Sequence, residues 1–238
     1  MKPKTSAEIR AFLNRRADTR PMNAAPTVRI DGTTATLRLF DPIDSWGEWW
    51  GMSAKELAQT IDELPSHVST IELLINSPGG EVFEGLAMVN VLRAHSAHTR
   101  AVVQGIAASA ASFVACAADE CVMAPNSTLM IHDAWGLCMG NADDMLSMGA
   151  VLDQLSGNLA DIYAAKSGAT PDEMRTAMKA ETWYTADEAV AAGLADSVGS
   201  EPEPVVNDKA LQQFADGGPS FLKIAANANR RRRRTPTP

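Results

Sequence analysis

The chain has 238 residues, of which 45% are hydrophobic, and its formal net charge is −8. This length and apolar content suit one large domain with a buried core, and the acidic balance argues against a body that binds nucleic acid by charge alone. The three cysteines form no CxxC pair and fit neither a disulfide framework nor a zinc site, which favours a reducing compartment. No apolar run approaches the ~18 residues that span a bilayer, so we expect a cytoplasmic protein with no membrane partner.

The first elements in chain order are a leader, a hairpin and a helix. Residues 1–24 are predicted to be a charged, flexible leader. Residues 27–40 alternate apolar and polar side chains around an Asp-Gly pair, which predicts a β-hairpin. Ser53, with Glu56 three residues later, forms a capping-box pattern and predicts a helix over 53–64.

The segment from residue 70 to residue 135 alternates between strand and helix patterns. A strand runs into a sharp turn at "TIELLINSPGG", and helices are predicted at "EVFEGLAMVNVLRAH" and "SAASFVACAA". Further strands are predicted at "TRAVVQGIA", "ECVMAP" and "STLMIHDAW". Strands that alternate with helices predict an α/β fold with mainly parallel pairing.

The remaining predicted elements before residue 200 are three helices and one short strand. A long helix spans 141–168 with Gly168 as its C-cap, and a second spans 170–180 behind Thr170. "TADEAVAAGLADSV" predicts a short helix and a short strand. The apolar residues at helical spacing in the long helix fit either core packing or subunit contacts; they are Met145, Met148, Val151, Leu152 and Leu155.

The C-terminal region changes in composition. We predict a folded domain over 25–200, followed over 201–238 by a disordered linker and basic tail. Arg230–Arg234 contrasts with the acidic body. Such a run is either a solvated segment or an address that binds an acidic partner, such as a scaffold protein or packaged nucleic acid.

Two side chains are the first candidates for chemistry. Ser109 lies at a predicted strand-to-helix junction, where helix N–H groups favour a developing negative charge, although it fits equally well as a simple helix cap. His132 ends an apolar strand, and a histidine there is either structural or a base for a nearby nucleophile. Ser112 is predicted to be a small packing residue.

The turn "INSPGG" is a third candidate feature. Gly79 and Gly80 follow Pro78 at the end of a strand and leave backbone N–H groups uncovered. Such a turn either binds an oxyanion or is only a tight connection.

Together these pieces resemble the Clp protease proteolytic-subunit family of serine peptidases. The matching segments, in the family's order, are "INSPGG" with "EVFEGLAMVNVL", then "GIAASAAS", "STLMIHDAW" and "ETWYTADEAVAAGLADSV". They lie within residues 71–198, over half the chain. Within the family, "WGEWWGMSAKEL", "NADDM" and "AETWYTADEA" resemble the bacteriophage head-maturation protease branch.

The resemblance implies a crotonase-like α/β fold of repeated β-β-α turns and a set of catalytic roles. Ser109 matches the nucleophile in "GIAAS", and His132 matches the general base in "MIH". The third member falls on Glu181, where the housekeeping enzymes have Asp; Glu also orients an imidazole, with one more methylene of reach. Asp133 is a poor substitute, because on a strand it points to the face opposite His132.

The oxyanion donors implied by the resemblance are backbone N–H groups. They belong to Gly79 or Gly80 in the turn, and to Ala110 after the nucleophile. Neither a metal nor an organic cofactor is required.

The resemblance also implies what the protein acts on. It predicts an ATP-independent endopeptidase that assembles into a homo-oligomeric ring. Its substrates are scaffold or capsid proteins during head maturation, in the host cytoplasm or the prohead interior.

Three alternatives stay open at this point. A signal-peptide-peptidase type of protease on the same fold uses Ser and Lys, with Lys166 or Lys179 as candidates. Hydratases and isomerases of the crotonase fold use the oxyanion turn without a Ser–His pair. The last alternative is an inactive protein that only assembles.

Overall fold

The computed structural model describes residues 28–46 and 51–199. The chain divides into two units, Met1–Ser200 and Glu201–Pro238, and all described residues belong to the first. The predicted leader over 1–24 and the predicted linker and tail over 201–238 lie outside the described residues.

Eight strands and six helices follow one another in the described part of the chain. The strands are β1 (Arg29–Asp31), β2 (Thr34–Leu39), β3 (Thr70–Ser77), β4 (His98–Ala108), β5 (Glu120–Met123), β6 (Thr128–Ile131), β7 (Thr182–Thr185) and β8 (Ser197–Val198). The helices are α1 (Ala54–Asp62), α2 (Val82–Ala94), α3 (Ala110–Cys116), α4 (Ala142–Ser167), α5 (Pro171–Lys179) and α6 (Ala186–Ala191).

The strands form one sheet in which parallel pairing dominates. Its main path runs β1-β2-β3-β4-β5-β8, and β6 pairs with both β4 and β7. Antiparallel pairs occur at the β1–β2 hairpin and between β6 and β7, and the other described pairs are parallel. This mixed α/β architecture confirms the predicted fold class.

The long strand β4 organises the sheet around the site. Its first half pairs with β5, from Arg100 to Val103, and its second half pairs with β6, from Ile106 to Ala108. The two short strands β5 and β6 therefore lie one after the other beside a single long one. The carboxyl ends of the parallel strands β4 and β6 meet at one edge, where α3 begins.

Small and apolar residues determine how α3 and α2 pack. Every residue of α3 is buried, as expected for a short helix that is apolar on all sides. Gly85 of α2 faces it, and a Cβ at Gly85 would lie 2.6 Å from the Phe113 ring. The absence of a side chain at Gly85 is what lets α2 approach the helix that follows Ser109.

The predicted helix boundaries are confirmed to within a few residues. Capping boxes begin α1 at Ser53, α4 at Asn141, α5 at Thr170 and α6 at Thr185. Gly168 ends α4 in the left-handed conformation, with φ of 75°. These signals are local in sequence, so they are readable without tertiary information.

The first half of α4 is largely exposed. Leu155 begins the buried part, whereas Met145 and Val151 are 44% and 48% exposed and Met148 and Leu152 are partly buried. Core packing is therefore wrong as an interpretation of Met145 and Val151 and right for Leu155. The contribution of this half of α4 to subunit contacts stays a prediction.

Two further observations concern the described residues only. None of the helices there is both long and apolar enough to cross a membrane. All three cysteines carry free thiols, and Cys116 and Cys121 are buried.

Candidate active site

The parallel pairing of β4 with β6 brings Ser109 and His132 together. Ala108 pairs with Met130, and the N–H of Ser109 donates to the carbonyl oxygen of Met130 at 3.0 Å. His132 follows two residues after Met130, so its ring lies beside the Ser109 hydroxyl. The Nε2 of His132 lies 2.7 Å from the Oγ of Ser109, within hydrogen-bonding distance.

The backbone at Ser109 is strained. Its φ of 54° and ψ of −124° are unusual for a residue with a side chain, and such conformations cost about 1–3 kcal/mol. Ser109 occupies the N-cap position of α3, but its side chain makes no capping hydrogen bond. The capping interpretation is therefore wrong, because the hydroxyl instead contacts the His132 ring.

His132 is held at the end of β6 with only 9% of its surface exposed. A buried imidazole needs polar partners, and the Ser109 hydroxyl supplies one at Nε2. The ring therefore faces the Ser109 hydroxyl, within the distance that proton transfer to a general base requires.

Glu181 is brought to the same place by the antiparallel pairing of β6 with β7. Ile131 pairs with Thr182, and the same register continued by one residue sets His132 opposite Glu181. Glu181 has a positive φ of 51°, and its N–H donates to the carbonyl oxygen of Met178 at 3.0 Å. Ser109, His132 and Glu181 all line one cavity.

Asp133 also lines this cavity, but its carboxylate is held by an arginine. Its Oδ1 lies 2.9 Å from Nε of Arg175, and the same guanidinium lies 2.7 Å from Oδ1 of Asp153. The carboxylate of Asp133, just after β6, is thus ion-paired with Arg175 of α5, which also pairs with Asp153 of α4. This arrangement agrees with the prediction that Asp133 is a poor partner for His132.

The glycine turn packs directly against the backbone around Ser109. Gly79 has φ of 83°, and a Cβ there would lie 2.3 Å from the carbonyl oxygen of Ala108 and 2.6 Å from the nitrogen of Ala110. Gly80 has φ of 157°, and a Cβ there would lie 1.9 Å from the carbonyl oxygen of Ile43. Both positions exclude a side chain for steric reasons as well as by backbone conformation.

The hydrogen bonds of the turn distinguish its N–H groups. The N–H of Gly79 donates to Oγ of Ser77 at 3.1 Å, and Ser77 Oγ donates to the carbonyl oxygen of Asp41 at 2.7 Å. The N–H of Glu81 donates to the carbonyl oxygen of Ile43 at 2.8 Å. The N–H groups of Gly79 and Glu81, on either side of Gly80, are thus both engaged in hydrogen bonds within the fold.

Two residues near the site make polar contacts that the sequence does not predict. Ser112 Oγ donates to the carbonyl oxygen of Ser109 at 2.6 Å and lies 2.7 Å from the hydroxyl of Tyr163. Ser112, predicted to be a packing residue, therefore makes specific polar contacts to the backbone of Ser109. No local pattern signals this, because Tyr163 is 51 residues away in sequence.

The cavity has a volume of about 720 Å³. Its apolar walls include Phe113, Met130, Leu159 and Trp183, and the exposed Phe83 and Trp135 stand at its edges. A cleft of this size beside Ser109 accommodates several residues of an extended peptide.

The described residues give less support to a metal site or to a Ser–Lys site. No group of three or more His, Cys, Asp or Glu side chains suited to a metal occurs in residues 28–46 and 51–199. Lys166 is ion-paired with Asp196, and Lys179 is exposed at the end of α5; neither lines the cavity. The contact of Ser109 with His132 therefore favours a Ser–His site over a Ser–Lys site.

Comparison with known proteins identifies the family that the motifs resemble. The Clp protease family model matches residues 53–202. ATP-dependent Clp protease proteolytic subunits from two strains of Bacteroides fragilis are each 34% identical to this chain over 130 residues. The matched region is 54% of this chain and 63% or 59% of the relative, so it spans less than two thirds of either relative.

Proposed function

The chain belongs to the Clp protease family, and from that premise we propose that it is a serine endopeptidase that works through an acyl-enzyme. The observation that carries the proposal is the 2.7 Å contact between Ser109 Oγ and His132 Nε2. It pairs a nucleophile with a base at the mouth of a cleft, which is the arrangement that acyl transfer needs.

Acylation begins with the removal of a proton from Ser109. His132 Nε2 takes the hydroxyl proton while Oγ attacks the carbonyl carbon of the scissile peptide bond. The carbonyl π electrons move to oxygen and give a tetrahedral oxyanion. The imidazolium then gives its proton to the leaving amine, the C–N bond breaks, and the acyl group stays on Ser109.

The oxyanion is held by two backbone donors in this proposal. They are the N–H of Gly80 in the glycine turn and the N–H of Ala110 at the first position of α3. The first N–H groups of a helix have no partner within that helix, which frees Ala110 for this role. Each such donor contributes on the order of 3 kcal/mol to the transition state.

Deacylation uses the same groups in reverse. His132 takes a proton from a water molecule, the hydroxide attacks the acyl carbon, and the proton returns to Ser109 Oγ as the ester bond breaks. Glu181 acts here by orienting the imidazole and stabilising the imidazolium. Its support is the β6–β7 register, which sets it opposite His132.

We further propose that the substrates are scaffold or capsid proteins cleaved without ATP during bacteriophage head maturation. The support is sequence resemblance in "WGEWWGMSAKEL", "NADDM" and "AETWYTADEA". In this proposal the enzyme is a homo-oligomeric ring located in the host cytoplasm or the prohead interior. The basic run Arg230–Arg234 then binds an acidic partner there.

A hydrolysis assay tests the activity. Full-length protein is incubated with β-casein and a fluorogenic apolar peptide, with and without ATP, beside Ser109→Ala and His132→Ala. We expect nucleotide-independent cleavage by the wild type and none above background in either variant. His67→Ala, which alters an exposed loop histidine, serves as the matched control and retains activity. Equal cleavage by Ser109→Ala would contradict the proposal.

A further inference from the structure

The buried hydroxyl groups of Tyr163 and Ser112 form a chain of hydrogen bonds that ends at the carbonyl oxygen of Ser109. The Tyr163 hydroxyl lies 2.7 Å from Ser112 Oγ, which lies 2.6 Å from the carbonyl oxygen of Ser109. Ser112 is 0% exposed and Tyr163 is 1% exposed. Tyr163 belongs to α4 and Ser112 to α3, so this hydroxyl pair joins the long helix to the residue beside the cleft.

The direction of both hydrogen bonds follows from the number of protons. A serine hydroxyl has one proton, and a carbonyl oxygen only accepts. Ser112 therefore uses its proton on the Ser109 carbonyl, and Tyr163 must be the donor to Ser112 Oγ. Burial raises the pKa of Tyr163 above its ordinary value, so the phenol keeps the proton that it donates.

The Ser109 carbonyl and the Ala110 N–H belong to one planar peptide group. In a trans peptide the C=O and N–H point in opposite directions, so fixing one fixes the other. The Ser109 carbonyl oxygen accepts from both the N–H and the Oγ of Ser112, at 2.9 Å and 2.6 Å. Hydrogen bonds at the oxygen also polarise the amide and strengthen its N–H as a donor.

This fixation matters because the backbone there is under strain. Ser109 has φ of 54°, and an unusual conformation persists only when surrounding contacts over-determine it. The N–H of Ser109 is held by Met130 on one side, and the carbonyl is held by Ser112 on the other. The peptide planes on the two sides of Ser109, 108–109 and 109–110, are thereby both restricted in their rotation.

We propose that Ser112 and Tyr163 are positioning residues that aim the Ala110 N–H at the oxyanion formed during attack by Ser109. Neither touches the reacting atoms; Ser112 acts through the peptide plane, and Tyr163 acts through Ser112. The proposal rests on the proposed serine-peptidase function.

A fluorophosphonate probe tests this step by itself. Ser109 Oγ attacks phosphorus and forms an O–P bond, the P–F bond breaks, fluoride leaves, and the serine proton passes to His132. The phosphoryl oxygen takes the place of the oxyanion. Measuring the inactivation rate against probe concentration separates the maximal rate constant, kinact, from the half-saturating concentration, KI.

The expected result is a loss confined to the chemical step. Full-length Ser112→Ala should lower kinact about tenfold, less than the 10²–10³ that follows complete removal of an oxyanion donor. KI should stay within about twofold, since initial binding does not use the oxyanion site. The midpoint of the pH dependence of kinact, which reports the base, should not move, because the Ser109–His132 contact is not altered.

Two further variants separate positioning from packing. Ser127→Ala removes the same hydroxyl from another buried serine, whose Oγ donates to the carbonyl of Ala124 at 2.7 Å, and should leave kinact unchanged. Tyr163→Phe removes one oxygen and should lower kinact about threefold, a fraction of the effect of losing Ser112. In the Ser112→Ala background, Tyr163→Phe should have no additional effect on kinact.

The outcomes are distinguishable. A wild type that never reacts overturns the proposed function itself. If the wild type reacts but kinact is unchanged in both Ser112→Ala and Tyr163→Phe, only the positioning role is overturned. The same holds if Tyr163→Phe lowers kinact equally in the wild type and in the Ser112→Ala background. If Ser112→Ala fails to fold, Tyr163→Phe decides alone, and wild-type kinact in that variant overturns the role.

Discussion

Two acidic residues, Asp133 and Glu181, line the same cavity as His132, and they are held in different ways. Asp133 follows His132 directly but is ion-paired with Arg175, which also holds Asp153. Glu181 is distant in sequence, but it directly precedes Thr182, which pairs with Ile131, the residue before His132. Proximity in sequence is therefore a poor guide to which carboxylate orients the imidazole.

A pair of isosteric substitutions separates the two carboxylates. We expect Glu181→Gln to lower kcat on a peptide substrate by on the order of 10³, because the amide cannot stabilise an imidazolium as a carboxylate does. Asp133→Asn should keep kcat within about tenfold of the wild type, since it loses only an ion pair beside the site. Steady-state kinetics of both variants measure this, and a larger loss in Asp133→Asn than in Glu181→Gln would reverse the assignment.

Residue-level prediction from the sequence succeeded where motifs were local and failed where partners were distant. Ser109 and His132 were identified from short motifs, and the structure brings them into contact. Their catalytic roles stay predictions. Ser112 was taken as a packing residue, because its polar partner Tyr163 is reached only through the packing of α4 on α3. The bond from Gly79 to Ser77, which supports the proposal of Gly80 rather than Gly79 as oxyanion donor, likewise cannot be read from the sequence.

Strands β4 and β5 are joined near their first residues by hydrogen bonds between Thr99 and Asp119. Asp119, just before β5, accepts hydrogen bonds from the N–H and the hydroxyl of Thr99, at 2.7 Å and 2.8 Å. These bonds lower the pKa of the Asp119 carboxyl, and the nearby His98 adds a smaller effect in the same direction. The contact ties the first residues of β4 to the strand that pairs with them.

The hydrogen bonds of Asp119 with Thr99 should make the contribution of Asp119 to folding stability depend on pH. A lowered pKa in the folded state means that the carboxylate stabilises the fold above its unfolded pKa of about 4, and this stabilisation is lost as the pH falls through the folded value. Asp119→Asn should therefore lower the melting temperature at pH 7, with the gap from wild type closing below about pH 4. Thermal melts across this range measure it. Asp161→Asn, at an exposed position on α4, is the control, and a gap that does not shrink as the pH is lowered from 7 would contradict the role.

Element boundaries were predictable because their signals are short. Ser53 with Glu56, and Thr170 with Pro171, mark helix starts that the structure confirms. The exposure of the first half of α4 was not predictable in the same way. Met145 and Val151 have the spacing of a core-facing stripe, and periodicity alone does not say whether a core is present to receive it.

Among the described residues, several large apolar side chains on α4 and in the segment before it are exposed to solvent. We call this group the α4 surface; its members Trp135, Leu137, Met139, Met145, Leu146 and Val151 are between 44% and 89% exposed. Large exposed apolar areas mark interaction sites. The α4 surface is the part of the described chain that best supports the proposed homo-oligomer.

A charge placed on the α4 surface should disrupt assembly. Leu146 is 73% exposed, so Leu146→Glu should not disturb the fold of the subunit, but a buried carboxylate in an interface is strongly unfavourable. We expect sedimentation velocity to show smaller species for this variant than for the wild type. Gln59→Glu adds the same charge at an exposed position on α1 and should sediment as the wild type does. Identical sedimentation of Leu146→Glu and wild type would remove the α4 surface from the interface.

The central claim is that Ser109 is a nucleophile activated by His132. The most direct measurement is labelling of the full-length protein with a fluorophosphonate probe followed by peptide mapping, with His132→Ala and Glu181→Ala in parallel. We predict a single adduct on Ser109 that is abolished in His132→Ala and weakened in Glu181→Ala. An unlabelled wild type in every assembly state, or an adduct on Ser109 that persists undiminished without His132, would contradict the claim.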